Sequence, residues 1–222
     1  MIPDNRILLL AGHYGSGKTN VAVNLAMDMR KRHDRVAIAD LDIVNPYFRS
    51  KDSIDELTEQ GIRLICSEYA NTNVDIPALP PDMYAVIDDK QLHTVIDVGG
   101  DDRGALALGR LAPAIRREND YAMLMVINGY RPLTRTPRDV LDVLREIEQA
   151  GGIPFTGIVN NSNLGAETTP QAVLDSVAYA TELAKAANLP LVATTVEERL
   201  YDELKGQIPD LFPLQLQNNK PF

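Results

Sequence analysis

The chain is 222 residues long, 45% hydrophobic, and carries a formal net charge of −9. This suits one globular α/β domain over residues 1–222 with a sizeable core, and the acidic balance argues against indiscriminate binding to nucleic acid or anionic membrane, which needs clustered Lys and Arg. Cys66, the single cysteine, excludes an intrachain disulfide and a four-thiolate cluster, and is expected as a buried strand residue.

The first apolar run, Ile7–Ala11, reads as a strand and passes straight into Gly12-His13-Tyr14-Gly15-Ser16-Gly17-Lys18-Thr19. The G-x-x-x-x-G-K-T spacing between a strand and a helix is a P-loop. Its glycines let successive N–H groups point at phosphate oxygens, at the positive end of the following helix. Lys18 brings charge to the β- and γ-phosphates and Thr19 offers a hydroxyl to Mg²⁺. The phosphate-binding set is therefore Gly12, His13, Tyr14, Gly15, Ser16, Gly17, Lys18, Thr19 and Asn20. Ala22, Leu25, Ala26 and Met29 mark the buried face of the helix that follows.

Further strands are expected over Val36–Asp40, Ile62–Cys66, Thr94–Val98, Tyr121–Ile127, Phe155–Asn160 and Leu191–Thr194, alternating with helices as in a doubly wound, mostly parallel sheet of about seven strands. One of these helices carries Val140, Leu141, Leu144 and Ile147 on its apolar face, with Pro137 at its start and Gly151-Gly152 beyond its end. The proline-rich stretch Ser67–Asp82 reads as an ordered excursion over the sheet edge, and Ile208–Phe222 as an extended tail. No leader pattern and no run of roughly 18 apolar residues occurs, so a cytoplasmic location is expected.

In parallel α/β sheets ligands sit at the carboxyl ends of strands. Asp40 and Asp42 end the second strand, and Asp97 closes the fourth as a Walker B aspartate does, holding Mg²⁺ directly or through water. Asp97-Val98-Gly99-Gly100 has the D-x-x-G spacing by which the backbone of Gly100 meets a γ-phosphate. Asn160 and Asn161 end the sixth strand with amides able to donate and accept, as adenine's edge requires, and the guanine pattern N-K-x-D is absent. Asn160 is the preferred base contact of the two. Arg49, Arg103, Arg131, Arg135 and Arg138 stand on loops and receive no catalytic role.

Together these residues resemble the SIMIBI-class P-loop ATPases, the CobQ/CobB/MinD/ParA-type family that also includes the nitrogenase iron protein. The resemblance implies a strand order of 3-2-4-1-5-6-7, Asp42 as the residue orienting the attacking water, Asp40 in support of the Mg²⁺ shell with Thr19 and Asp97, and an ATP-dependent homodimer. His13 stands where the group's signature lysine would be, and Tyr14 where the first of its paired glycines would be. The expected function is Mg·ATP binding and slow hydrolysis, a switch read by an unidentified protein partner. The alternatives are an ATP-dependent enzyme resembling dethiobiotin synthetase or the cobyrinic-acid amide synthetases, acting on a small-molecule substrate, and a metallocentre assembly factor.

Overall fold

Most of the apolar runs become strands buried on both faces, as a parallel sheet covered by helices requires. The computed structural model describes residues 1–41, 57–66, 81–99 and 102–216. Its strands are β1 Ile7–Ala11, β2 Val36–Asp40, β3 Ile62–Cys66, β4 His93–Asp97, β5 Tyr121–Ile127, β6 Gly157–Asn160, β7 Leu191–Glu197 and β8 Leu211–Leu214. They form an eight-stranded parallel sheet in the order β3-β2-β4-β1-β5-β6-β7-β8.

Two differences from the sequence expectation matter for the site. β7 runs past Thr194 to Glu197, and part of the expected tail is the strand β8, paired to β7 from Thr194↔Leu211 to Glu197↔Leu214. Pro213 is tolerated there because β8 is an edge strand, where a missing N–H breaks no inner ladder. At the opposite edge Cys66 closes β3 half-buried rather than buried, since an edge strand has a neighbour on one side only. Of the expected Ser67–Asp82 excursion, residues 67–80 lie outside the described residues, and its last two positions open a helix.

The helices are α1 Lys18–Arg30, α2 Pro81–Asp88, α3 Asp102–Glu118, α4 Pro137–Gly151, α5 Pro170–Ala187 and α6 Glu198–Leu204. Strand alternation divides the core into two layers. Leu8, Leu10, Ile38 and Val95 face α1, meeting Val21, Leu25, Ala26 and Met29. Ile7, Leu9, Ile96 and Met125 face the other way, into a layer with Met83 of α2, Leu108 of α3, Val140 and Leu144 of α4 and Leu183 of α5. The ends of α4 follow the sequence closely. Thr136 and Asp139 form a reciprocal capping box, Pro137 fills the first turn, and Gly152 ends the helix at φ 67°. Among the described residues no helix is long and apolar enough to cross a membrane.

Candidate functional site

The carboxyl ends of β1, β2, β4, β5, β6 and β7 converge on the loop that joins β1 to α1. Gly12 leaves β1 against the backbone of β5, where an added Cβ would lie 2.3 Å from the Val126 carbonyl oxygen. Gly17 caps α1 at φ 81° and ψ 20°, a left-handed conformation costly for any other residue, and brings no side-chain acceptor to the helix's first N–H groups. Those donors are left for an anion.

Side chains from two neighbouring strand ends hold this loop. Arg131, after β5, donates from Nε to the Gly15 carbonyl at 3.0 Å, and Asn161, after β6, donates from Nδ2 to the Ser16 carbonyl at 2.7 Å. Thr195 of β7 in turn donates to Asn161 Oδ1 at 2.6 Å. The Asn161 amide passes so close to Gly17 that a Cβ there would lie 2.4 Å from Nδ2. Two loop carbonyls are thereby committed to side chains. Lys18 is buried at the head of α1, while Tyr14 is 68% exposed and His13 bonds through Nδ1 to the Tyr14 carbonyl at 2.9 Å.

The acidic side of the site lies across β2 and β4. Asp40 and Asp97 are register partners on these adjacent strands, both buried, and Thr19 Oγ1 donates to Asp97 Oδ2 at 2.5 Å. One hydroxyl and two carboxylates beside an anion cradle form a hard-oxygen set of the kind that suits Mg²⁺, which takes few protein ligands and keeps waters and phosphate oxygens. Ser16 Oγ and Asn20 Oδ1 are buried at the same loop without a hydrogen-bond partner among the described residues, so the donor and acceptor inventory fits a phosphate group and its cation. Asp42 and Gly100 lie outside the described residues. Gly99, just before Gly100, is met by α3 at such close range that a Cβ on Gly104 would sit 2.6 Å from its Cα.

On the far side of the loop, a cavity of about 250 Å³ opens between the β6 and β7 ends and the end of β8. Asn161, Gly165, Thr195, Glu197, Leu214 and Leu216 are among the residues around it. Asn160 is not. Its side chain is 0% exposed, donates to Ser176 Oγ at 2.9 Å and accepts from the Ser162 N–H at 3.2 Å. The expectation that Asn160 offers its amide to a base is therefore corrected: it points into the β6–α5 packing, and Asn161 takes the place at the cavity. Thr195 and Glu197 were missed because the strand was expected to stop at Thr194; the rule that ligands gather at strand carboxyl ends, applied to β7, would have found them.

Residues 7–188 match the family model of the CobQ/CobB/MinD/ParA nucleotide binding domain. Among solved structures, the signal recognition particle receptor FtsY from Elizabethkingia anophelis aligns at 16% identity and a TM-score of 0.52, over 96% of this chain and 62% of that one. The cell division protein FtsY from Thermotoga maritima aligns at 17% identity and a TM-score of 0.55, over 86% of this chain and 62% of that one. Signal recognition particle 54 kDa protein from Aeropyrum pernix, in complex with GDP, aligns at 15% identity and a TM-score of 0.51, over 86% of this chain and 41% of that one. This chain thus spans about three fifths of the FtsY chains, and at such identities the likeness is one of fold. None of the curated proteins matches it. The P-loop braced from β5 and β6, the paired aspartates of β2 and β4, and a match running from β1 through α5 place the chain in the CobQ/CobB/MinD/ParA nucleotide binding domain family, with a SIMIBI-class P-loop fold.

Proposed function

We propose that the protein binds Mg·ATP in the P-loop cleft, hydrolyses it slowly, and works as a nucleotide-dependent switch in the cytoplasm. The observation that carries this reading is the Thr19 hydroxyl bonded to Asp97 at 2.5 Å, with Asp40 in register beside it. Thr19, Asp97 and Asp40 are the groups that would hold Mg²⁺, which when bound neutralises charge on the β- and γ-phosphates. Lys18 and the loop N–H groups bind phosphate oxygens and stabilise charge as it develops on the transferring group. In this reading Asp42 orients the attacking water, and the Gly100 N–H contacts the γ-phosphate, so that loss of that phosphate releases the loop after β4.

Asn161 supports a purine base in the adjoining cavity. Its amide carries two N–H bonds, one of which goes to Ser16, and the second suits N7, an acceptor that adenine and guanine share. Adenine is preferred on the absence of N-K-x-D, and the GDP bound to the Aeropyrum protein is the reason to test guanine alongside it.

Calorimetric titration with ATP and GTP, with and without Mg²⁺, followed by single-turnover hydrolysis, tests the reading. Tight Mg²⁺-dependent ATP binding with slow turnover is expected, and Lys18→Ala should abolish it. A folded Lys18→Ala variant with unaltered affinity and turnover would overturn the phosphate assignment. ATP consumption stoichiometric with a small carboxylate would replace the switch with a metabolic enzyme.

A further inference from the structure

We infer that Glu197 selects adenine at this site, accepting a hydrogen bond from its exocyclic amino group; the inference rests on the nucleotide reading above. Apart from Asn20, whose Oδ1 has no partner among the described residues and belongs to the P-loop end of the cavity, the polar side chains around it are nearly all committed to the protein itself. Thr195 gives its hydroxyl hydrogen to Asn161, and Thr168 Oγ1 donates to the Gly165 carbonyl at 2.6 Å while accepting from the Leu164 N–H at 2.9 Å. Asn163 donates to the Asn161 carbonyl at 2.8 Å and accepts from the Gly165 N–H at 3.1 Å. Ser162 Oγ accepts from the Gly129 N–H at 2.9 Å.

Glu197 differs. It ends β7 two residues beyond Thr195, so the two side chains share a face of the strand, with the Thr195–Asn161 pair at the inner end of the cavity and a carboxylate further out. Arg199 holds one of its oxygens, donating from Nε to Oε2 at 2.7 Å, and anchors itself by donating from Nη2 to the Thr168 carbonyl at 3.0 Å and the Ala166 carbonyl at 3.3 Å. The same arginine thus ties the β7 end to the loop after β6 and orients the carboxylate between them. The side chain of Glu197 is 24% exposed, and among the described residues Oε1 has no protein partner.

One acceptor oxygen discriminates between purines. Adenine's amino group donates a single N–H to it. With Asn161 at N7, guanine puts O6 where adenine has its amino group and so sets acceptor against acceptor at Glu197. Turning its N1–H and N2–H edge to the carboxylate instead calls for two oxygens, one of which Arg199 already engages, and gives up the N7 contact. Hypoxanthine carries the same O6 and no exocyclic amine, which makes it the sharpest probe.

The test is calorimetric titration of the full chain with ADP, inosine diphosphate and GDP, in the wild type and in Glu197→Met, which keeps length and loses the acceptor. The wild type should prefer ADP over inosine diphosphate by roughly tenfold or more, the scale of one charge-assisted hydrogen bond. Glu197→Met should cut that preference to about threefold or less without lowering the affinity for inosine diphosphate. A variant that retains the wild-type preference overturns the inference and leaves the nucleotide reading standing. GDP binding as tight as ADP in the wild type overturns the choice of adenine, and a wild type that binds none of the three overturns the nucleotide reading with it. Arg199→Met releases the second oxygen, and with it the anchor that orients the carboxylate, so it should raise GDP affinity relative to ADP; an unchanged ratio there overturns the one-oxygen argument even if Glu197→Met fails to fold.

Discussion

Asn161 shows how much one side chain settles at this site. Its amide ties the P-loop carbonyl of Ser16 to the Thr195 hydroxyl, so three segments far apart in sequence share one planar group. Asn161→Ala takes the side-chain donor from the Ser16 carbonyl and leaves the Thr195 hydroxyl only its longer 3.3 Å contact with the Asn160 carbonyl, a cost of about 1–3 kcal/mol, and should weaken nucleotide binding in the same titration by roughly tenfold or more. Gly17→Ala attacks the same junction from the other side. A left-handed φ of 81° and a Cβ 2.4 Å from Asn161 Nδ2 cannot both be accommodated, so either the loop or the amide must move. The variant should lower the thermal midpoint by an amount equivalent to about 1–2 kcal/mol and lose affinity together with it; an unchanged midpoint and affinity would show that the loop relaxes freely.

At the scale of elements, the amino-terminal end of the sheet carries a polar clamp that the carboxyl-end site does not use. Arg6, buried at the entry to β1, donates from Nη1 to the carbonyls of Val86, Asp89 and Leu92 and pairs with Glu118 at the end of α3, where Lys90 also arrives at 2.8 Å. It closes the end of α2 and the turn into β4 while pinning α3. Burial pushes the Glu118 carboxyl up, and the hydrogen bonds and charges of Arg6 and Lys90 more than reverse this, leaving it below the usual carboxylate range. Its stabilisation is therefore present above the unfolded value of 4.5 and is lost as pH falls through the lower folded value. Arg6→Met leaves the part-buried Glu118 carboxylate to Lys90 alone and takes the donor from three carbonyls, and should destabilise the protein by about 3 kcal/mol in urea unfolding at neutral pH. Nearby, His33 and His93 stack with ring centroids 3.6 Å apart. Burial, then the neighbouring His33, lowers His93 below 6.5, with Arg6 acting in the same direction and Asp4 and Asp120 opposing. The unfolded chain thus takes up this proton before the folded one, so stability should fall as pH drops from 6.5 toward the folded value and level off below it. Urea midpoints between pH 7.5 and 5.5 should show this slope, and His93→Phe should flatten it.

For the whole molecule, the nucleotide reading predicts association. The loop's outer face carries Tyr14 at 68% exposure beside His13, with Leu133 exposed on the segment that supplies Arg131. If two copies meet across bound nucleotide, Asp42→Ala, by slowing hydrolysis, should accumulate a dimer with Mg·ATP and not with ADP. Light scattering decides this, and a monomer under both conditions would remove the homodimer from the reading. The other end of the site is closed by the chain's own later residues. Asn24 of α1 exchanges two hydrogen bonds with the backbone of Gln215, at 2.8 and 3.0 Å, so β8 and the P-loop helix hold the wall that Leu214 and Leu216 give to the cavity.

Local sequence was enough for every element whose signal is local. The P-loop glycines, the apolar strands and the Pro137 and Gly152 boundaries of α4 are set by backbone conformation and by burial on both faces, which residue type reports directly. The α/β order followed from them. What needed the tertiary structure were relations between segments distant in sequence. Asn160 and Asn161 are adjacent and chemically identical, yet the strand pleat turns one toward Ser176 and the other toward the P-loop, and only the packing of α5 on β6 decides which. β8 was illegible for a related reason: a short stretch with an internal proline has little strand signal of its own and becomes a strand because the free edge of β7 accepts it. Arg199 and Glu197 read as ordinary surface charges until the end of β7 is set beside the loop after β6, since a side chain's availability depends on which of its atoms its neighbours have already taken.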